Sequence, residues 1–263
     1  MRELTFDCRY AREYTDLGIP CREENFQWHE RKVTIPAAQT ALVLVDCWDR
    51  HPVESFRERA AQVARQKILP TVEACRAAGI TIVHAPSPEV ARKYPQWLKY
   101  AGDEELFGPR TSEPGWPPVE FRRHVHQYDD SPFGRPAEPL LEQWLHDEAL
   151  FPAMRIMELL EPEADDFVVA TGEQLHRLCH DQQILHLLYA GFAANICVQF
   201  RDYGIRAMHN RGYHTILLRD CTSAIEGSHT LAGQWLLEAA IFNIELKVGC
   251  STTAQQLQAA CRE

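Results

Sequence analysis

Two segments of the sequence place a reactive side chain directly after an apolar run. TALVLVDCWD ends its apolar run at Asp46, and LLYAGFAANICVQF carries Cys197 shortly after its own run. A carboxylate at the end of a buried strand is desolvated, which raises its pKa toward the range of a general base. Cys197 begins a helical pattern with Asn195 as a candidate N-cap, where the macrodipole and free amides favour a thiolate and can hold an oxyanion. The pattern indicates a nucleophilic cysteine with a carboxylate base.

Both residues also have an ordinary structural interpretation. A cysteine outside a disulfide is commonly a small apolar residue packed beneath a helix. An aspartate that follows a strand is commonly a turn residue or an N-cap in α/β proteins. The catalytic interpretation of Asp46 is stronger when it is taken together with Cys197, because a carboxylate beside a thiol can take its proton and pass it to a leaving amine.

The surrounding elements must bring the two residues together. Apolar runs alternate with helical patterns, which predicts an α/β fold with three layers, α/β/α, and a central, mainly parallel sheet of six strands. The predicted strands are TALVLV, ITIVHA, FVVA, Leu185–Ala190, Thr215–Leu218 and NIELKV. If their order is 3-2-1-4-5-6, the first and fourth are neighbours where the order reverses, and Asp46 and Cys197 face one crevice.

The same patterns predict how the chain is organised. Residues 1–39 are polar and irregular and are expected to form an N-terminal arm, and residues 40–263 the α/β domain. A helix is expected from about Glu54 to Ala78, kinked at Pro70 and ended by Gly79. Residues of about 87–139 are rich in Pro, Gly and aromatic side chains, and this insertion is expected to act as a lid or an oligomer contact.

Composition excludes several classes of protein. The formal net charge of −10 argues against a nucleic-acid partner. No apolar run is long enough to cross a bilayer, and the N-terminal residues lack a signal-peptide core, so no membrane association is expected. The nine cysteines are scattered without a C-x-x-C pair. This arrangement favours a reducing, cytoplasmic location over a disulfide framework or a thiolate zinc site.

The chain resembles the isochorismatase-like cysteine hydrolases, a superfamily that includes nicotinamidases and N-carbamoyl amide hydrolases. The segments that carry the resemblance are ALVLVDCWD and YAGFAANICV, followed by GY and LLRDCT. The resemblance runs from about Thr40 to the C-terminus, except for the insertion. It implies that Asp46 is the base, that Cys197 is the nucleophile and that the Phe192–Ala193 peptide is cis. It also implies that the amides of Ala193 and Cys197 form the oxyanion hole, and that the protein is a homo-oligomer.

The sequence departs from the family pattern after the third strand. The family has a lysine there, whereas DDFVVATGEQL places Thr171 at this position. Threonine cannot carry the charge, so either another group replaces it or hydrolysis is weak or lost. By position alone, the candidates to replace the lysine are His84, Glu173 and His176.

Further residues are predicted to line the pocket. Trp48 and Asp49 follow Asp46 directly, and Arg201 lies one helical turn after Cys197. Asp202 and Tyr203 are expected to pack or pair elsewhere. For Trp48 and His176, core packing and a solvated surface are the respective alternatives.

No cofactor is expected, and no metal. HAPSPEVARKY lacks the Asp-x-His cluster with which nicotinamidases of the family bind zinc, and the i, i+4 pair of His176 and His180 is typical of a surface. No Gly-rich phosphate loop is present. The predicted function is hydrolysis of an amide, ureide or carbamoyl C–N bond of a small molecule through a thioester. The alternative is a non-catalytic binding or assembly protein on the same fold.

Overall fold

A computed structural model of the chain describes residues 2–99 and 138–263. Their eight strands lie in one sheet in the order β2-β1-β8-β7-β6-β3-β4-β5. The strands are β1 (Glu3–Ala11), β2 (Trp28–Pro36), β3 (Thr40–Val45), β4 (Thr81–Ala85), β5 (Phe167–Val168), β6 (His186–Phe192), β7 (His214–Ser223) and β8 (Cys250–Thr252).

The parallel part of the sheet confirms the predicted topology. In the stretch β8-β7-β6-β3-β4-β5 of the sheet, all neighbouring strands are parallel. When these six strands are numbered from β3 as the first to β8 as the sixth, their order across the sheet, read from β5, is the predicted 3-2-1-4-5-6. Every residue of β3 is buried, as a run of six residues with apolar side chains on both faces requires. The order reverses between β3 and β6, so the carboxyl ends of these two strands flank one crevice.

The sixth strand of this part lies at a different place from the predicted one. NIELKV is the end of a helix, and the strand is Cys250–Thr252, immediately after it. The segment WLLEAAIFNIELK is apolar all round and rich in Leu, Ala and Glu, which favour a helix. A short apolar window such as NIELKV does not by its periodicity distinguish a buried helix from a strand.

The first 39 residues are not the irregular arm that was predicted. β1 and β2 form an antiparallel hairpin, and β1 joins the main sheet by pairing Arg9 with Ser251 of β8. The period-2 burial of Leu4, Phe6 and Cys8 explains why this polar segment is a strand. These two strands raise the predicted count from six to eight.

Helices cover the sheet on both sides. The helices of the described residues are α1 (Glu54–Val63), α2 (Leu69–Ala78), α3 (Pro88–Ala91), α4 (Pro139–His146), α5 (Gly172–Asp181), α6 (Cys197–Phe200), α7 (Ile205–Asn210), α8 (Trp235–Lys247) and α9 (Ala254–Ala260), of which α4 belongs to a separate unit described below. The fold is therefore a three-layer α/β protein.

The long helix predicted from Glu54 to Ala78 is present with one irregularity. A π-helical turn, Ala64–Ile68, separates α1 from α2. It ends two residues before Pro70, which has no N–H to donate to the preceding turn. Gly79 ends α2 with a φ of 79°, the left-handed conformation that glycine adopts without strain.

The chain divides into two compact units, Met1–Tyr100 with Arg155–Glu263, and Ala101–Met154. The first unit contains the whole sheet. In the second, the described residues include α4, and most of the predicted insertion of about 87–139 lies outside the described residues. Within the described part of the chain, no helix is long and apolar enough to cross a membrane.

Candidate active site

Near the crevice, β6 approaches the end of β3 closely at a glycine. Gly191 pairs with Val45 at the end of β3 and has a φ of 110°. A Cβ atom at this position would overlap the backbone of Val45. The glycine therefore sets the close approach of the segments that carry Asp46 and Cys197.

Asp46 lies directly after β3 with its side chain buried, in the left-handed region at a φ of 44°. This conformation is unfavourable for a residue other than glycine. Two backbone hydrogen bonds hold it: the amide of Asp46 donates to the Ala85 carbonyl, and that of Trp48 donates to the Asp46 carbonyl. The carboxylate thus takes its direction from the backbone.

Two side chains besides Cys197 donate to the carboxylate of Asp46. Arg201 donates from Nε at 3.2 Å, and the hydroxyl of Tyr203 donates at 3.1 Å. The side chain of Asp46 is 1% exposed, whereas that of Arg201 is 34% exposed. The guanidinium therefore places a positive charge beside a carboxylate that water hardly reaches.

The environment raises the pKa of both Asp46 and Cys197. Burial raises the pKa of Asp46, although Arg201, Cys197 and Tyr203 oppose the change. This direction confirms the expectation from the sequence. Burial and the charge of Asp46 raise the pKa of Cys197 to about 12, against the lowering effects of Arg201 and the Ala193 backbone. The thiol is therefore protonated at neutral pH, and a base must take its proton.

The expectation of a thiolate stabilised by a helix N-terminus is wrong. α6 is a single turn of four residues, too short for a strong macrodipole, and its N-cap is Ile196 without a side-chain cap. The amide group of Asn195 instead exchanges two hydrogen bonds with the backbone of Ile225. Asn195 therefore links the loop after β6 to the segment after β7 by hydrogen bonds.

The loop between β6 and α6 presents backbone donors to the thiol. The Phe192–Ala193 peptide is cis, as the resemblance implied. A hydrogen bond from the backbone of Ala193 to the thiol lowers the pKa of Cys197. An amide so placed can also donate to an oxygen atom that develops negative charge beside the sulfur.

Asp46 and Cys197 line the same cavity, which has a volume of about 170 Å³. Its other polar lining residues are Trp48, Arg50, His51 and Arg57. Its apolar lining residues are Phe56, Ala60, Met157, Phe192, Ala193, Ile196 and Ile225. Carboxylate, thiol and the Ala193 backbone thus share a small, mostly apolar space that can hold a small molecule.

Five of the six predicted pocket residues do not line this cavity. One of them, Arg201, contacts Asp46 from outside the lining, and the other four have local partners. The carboxylate of Asp49 accepts from the amide of Arg155 at 2.8 Å. His84 is buried in β4 and contacts Asp166 through Nε2 at 3.1 Å. Thr171 caps α5 by accepting from the amide of Gln174. His176 contacts the hydroxyl of Tyr213 at 2.7 Å. In each case a local partner holds the side chain.

Thr171 stands where the family lysine was expected, and none of the three predicted replacements contacts Asp46. Glu173 pairs with Arg211, while His84 and His176 have the partners given above. The cation beside Asp46 is that of Arg201. Its approach depends on the short α6, because Arg201 has an extended ψ of 156° after the helix ends.

Sequence reasoning missed Tyr203, which was expected to pack elsewhere. After α6 the chain turns, with the Gly204 amide donating to the Arg201 carbonyl, and the side chains of Arg201 and Tyr203 both reach Asp46. Arg50, His51 and Arg57 were also missed as lining residues. The signal for Arg50 and His51 was their position between β3 and α1, at the carboxyl edge of the sheet, and Arg57 lies in the first turn of α1.

Across residues 2–99 and 138–263, no group of three or more His, Cys, Asp and Glu side chains could hold a metal ion.

The family model of the isochorismatase domain matches residues 40–243. The chain belongs to the isochorismatase family. It is 25% identical over 243 residues to a ureidoacrylate amidohydrolase, RutB, of Azorhizobium caulinodans, covering 87% of this chain and 92% of that protein.

Solved structures share the fold. A cysteine hydrolase from Pseudomonas syringae pv. phaseolicola superposes with a TM-score of 0.55 at 18% identity, covering 87% of this chain and 94% of that one. A hydrolase of the isochorismatase family from Chromobacterium violaceum superposes with a TM-score of 0.51 at 15% identity, covering 87% and 96% of the two chains. At these identities the likeness concerns the fold alone.

Proposed function

We propose that the protein is a cysteine hydrolase that cleaves the C–N bond of a small amide, ureide or carbamoyl compound through a thioester. The observation that carries the proposal is the placement of Asp46 and Cys197 in one small cavity, with a carboxylate–thiol hydrogen bond between them. The similarity to a ureidoacrylate amidohydrolase supports the choice of bond.

In the first half-reaction, Sγ of Cys197 attacks the carbonyl carbon while its proton passes to the carboxylate of Asp46. The amides of Ala193 and Cys197 donate to the oxyanion of the tetrahedral adduct. The C–N bond then breaks, and Asp46 returns the proton to the leaving nitrogen. The products are an amine or ammonia and a thioester on Cys197.

In the second half-reaction, Asp46 takes a proton from water, and the hydroxide adds to the thioester carbon. The C–S bond breaks, and the proton on Asp46 returns to the sulfur. A carboxylic or carbamic acid leaves, and the resting thiol and carboxylate are restored. No metal or redox partner is required for this balance.

We propose that Arg201 takes the electrostatic role of the family lysine, in whose place Thr171 stands. Burial raises the pKa of Asp46 and so favours the protonated carboxyl group, which cannot act as a base. The guanidinium at 3.2 Å favours the ionised form, which is an electrostatic role that the family assigns to its lysine. The alternative of a non-catalytic binding protein rested on the loss of that charge, and the contact with Arg201 weakens it.

The test is ammonia release from a panel of small amides and ureides by the wild type, Cys197→Ala and Cys21→Ala. Cys21 is an exposed cysteine and serves as the matched control. We expect turnover by the wild type and Cys21→Ala, none by Cys197→Ala, and an acyl adduct on Cys197 in acid-quenched wild type by mass spectrometry. Turnover by Cys197→Ala at the wild-type rate contradicts the proposal.

A further inference from the structure

Among the polar side chains that line the cavity beside Cys197, nearly all are hydrogen-bond donors. Among the described lining residues, Arg50, Arg57 and Trp48 can donate from their side chains but cannot accept. The indole N–H of Trp48 is buried and has no acceptor within the described part of the chain. The carboxylate of Asp46 is the acceptor, and Arg201 and Tyr203 already donate to it. A ligand with several hydrogen-bond acceptors would therefore complement the donors of the cavity wall.

His51 adds a further donor. Its Nδ1 atom accepts from the amide of Val53 at 3.0 Å. Burial lowers the pKa of His51 to about 4, so the ring is neutral at pH 7. Because Nδ1 accepts a hydrogen bond, the proton of the neutral ring lies on Nε2. His51 can therefore donate to a ligand and cannot accept from it through Nε2.

The charge of the wall is positive, although the chain carries a formal net charge of −10. The charge of Asp46 is balanced by Arg201. Arg50 shares its charge with Asp49 at 3.4 Å, and Arg57 lies 3.7 Å from Glu54, whose side chain is 78% exposed. Such an exposed pair is weak, so the guanidinium of Arg57 keeps most of its attraction for a ligand.

Apolar side chains occupy the rest of the wall. Phe56 packs edge-on against Phe192 at 6.3 Å between ring centroids, and both line the cavity with Ile196. A substrate that fills this space has an apolar connecting segment. Its polar ends are the scissile carbonyl at Cys197 and a group that satisfies the donors.

From these observations we infer that the substrate is an anionic amide or ureide, a short chain with the scissile C–N bond at one end and a carboxylate at the other. Arg57 is the main specificity-determining residue for the carboxylate, with Arg50 and His51 as additional donors. The inference rests on the proposed function and names its substrate class. Guanidinium groups bind carboxylates in a bidentate manner, which gives direction as well as affinity.

The experiment compares N-carbamoyl-ω-amino acids of two to four carbons with the N-carbamoyl-ω-amino alcohols of the same length. We expect kcat/KM to be at least about tenfold higher for the acids, since a hydrogen bond to a charged group contributes this much or more. Arg57→Gln should remove most of the preference through KM, and Arg57→Lys should keep part of it. Arg65→Gln, which removes an exposed arginine of the same long helix, should leave the preference unchanged.

A binding measurement separates this inference from the proposed function. Calorimetric titration of the Cys197→Ala protein with the same acids and alcohols requires no turnover. Tighter binding of the acids by about tenfold, lost in Cys197→Ala/Arg57→Gln, supports the carboxylate site even if hydrolysis of every compound is absent. Equal binding of acids and alcohols overturns the inference, whether or not the wild type hydrolyses them.

Discussion

Nε of Arg201 lies 3.2 Å from Oδ2 of Asp46, although 155 positions separate the two residues in the chain. Burial raises the pKa of Asp46, and Arg201 opposes that change. In the proposed mechanism, Arg201 supplies the positive charge at a site where threonine stands in place of the family lysine.

Replacing Arg201 with Met should lower kcat/KM by about tenfold to a hundredfold, because the base is then protonated over more of the pH range. Arg201 lowers the pKa of Asp46, so its removal raises that pKa and moves the acidic limb of the pH profile upward. The measurement is kcat/KM against pH. Arg201→Lys should restore part of the activity and of the profile, and Arg211→Met, which removes a guanidinium paired with Glu173, is the control. An unchanged acidic limb in Arg201→Met would argue against the electrostatic role.

Replacing Asp46 with Asn should separate the reactivity of the thiol from turnover. The charge of Asp46 raises the pKa of Cys197, so the neutral amide lowers that pKa from about 12. Alkylation of Cys197 by iodoacetamide should therefore begin at lower pH in Asp46→Asn than in the wild type. Hydrolysis should nevertheless be lost, because no base takes the thiol proton. The alkylation rate is followed by mass spectrometry from pH 6 to 10, with Cys21 as an internal reference for an exposed thiol. A higher alkylation midpoint in the variant would be incompatible with this electrostatic arrangement.

Gly191→Ala should destabilise the protein by about 2 kcal/mol or more, through a positive φ and an overlap of the new methyl group with Val45. Gly212→Ala is the matched control, because its φ is 96° and nothing lies near its added Cβ atom. Its cost should be about 1 kcal/mol, the conformational penalty alone. Urea denaturation measures both. Equal losses for the two variants would show that the close approach of β3 and β6 does not require the glycine.

Asp166→Asn should weaken the fold in a pH-dependent way without impairing the chemistry at Cys197. Burial raises the pKa of Asp166, but hydrogen bonds from His84, Arg76 and the Glu163 backbone outweigh it and lower the pKa from 3.8 to about 2. A lowered pKa means that the carboxylate stabilises the folded state above pH 3.8 and loses this contribution as the pH falls toward 2.

The free energy of unfolding of the wild type should therefore exceed that of Asp166→Asn by about 1 to 2 kcal/mol at pH 6 and by much less at pH 2. Denaturation at several pH values tests this difference. Asp181→Asn, at a carboxylate that is 56% exposed, is the control and should show little pH dependence. A difference that does not shrink toward pH 2 would contradict the assigned ionisation.

Sequence patterns were sufficient for the parallel part of the sheet except β8, because β3, β4 and β6 are apolar runs buried on both faces. They were insufficient where burial alone does not define the backbone. NIELKV is apolar in a helix as it would be in a strand, and the alternation of Leu4, Phe6 and Cys8 is weak among polar neighbours.

In the candidate site, too, some features could be predicted from the sequence and others could not. The positions of Asp46 and Cys197 follow from the topology, since residues at the ends of β3 and β6 must lie at one edge. The length of α6 does not follow from it, because VQFRDYGI is compatible with a longer helix. The early end of this helix is what turns Arg201 and Tyr203 toward Asp46. Arg57 is several residues beyond β3, so its place at the cavity depends on the path of the intervening loop.

The close fit of Gly191 against Val45 has a consequence for the order of events in folding. Asp46 and Cys197 follow β3 and β6, two strands that are distant in the chain and adjacent in the sheet. The long segment between these strands must therefore close before the two side chains can meet. Enzyme activity during refolding should therefore appear late, with the docking of β6 on β3, and it reports on the completion of the central sheet rather than on helix formation.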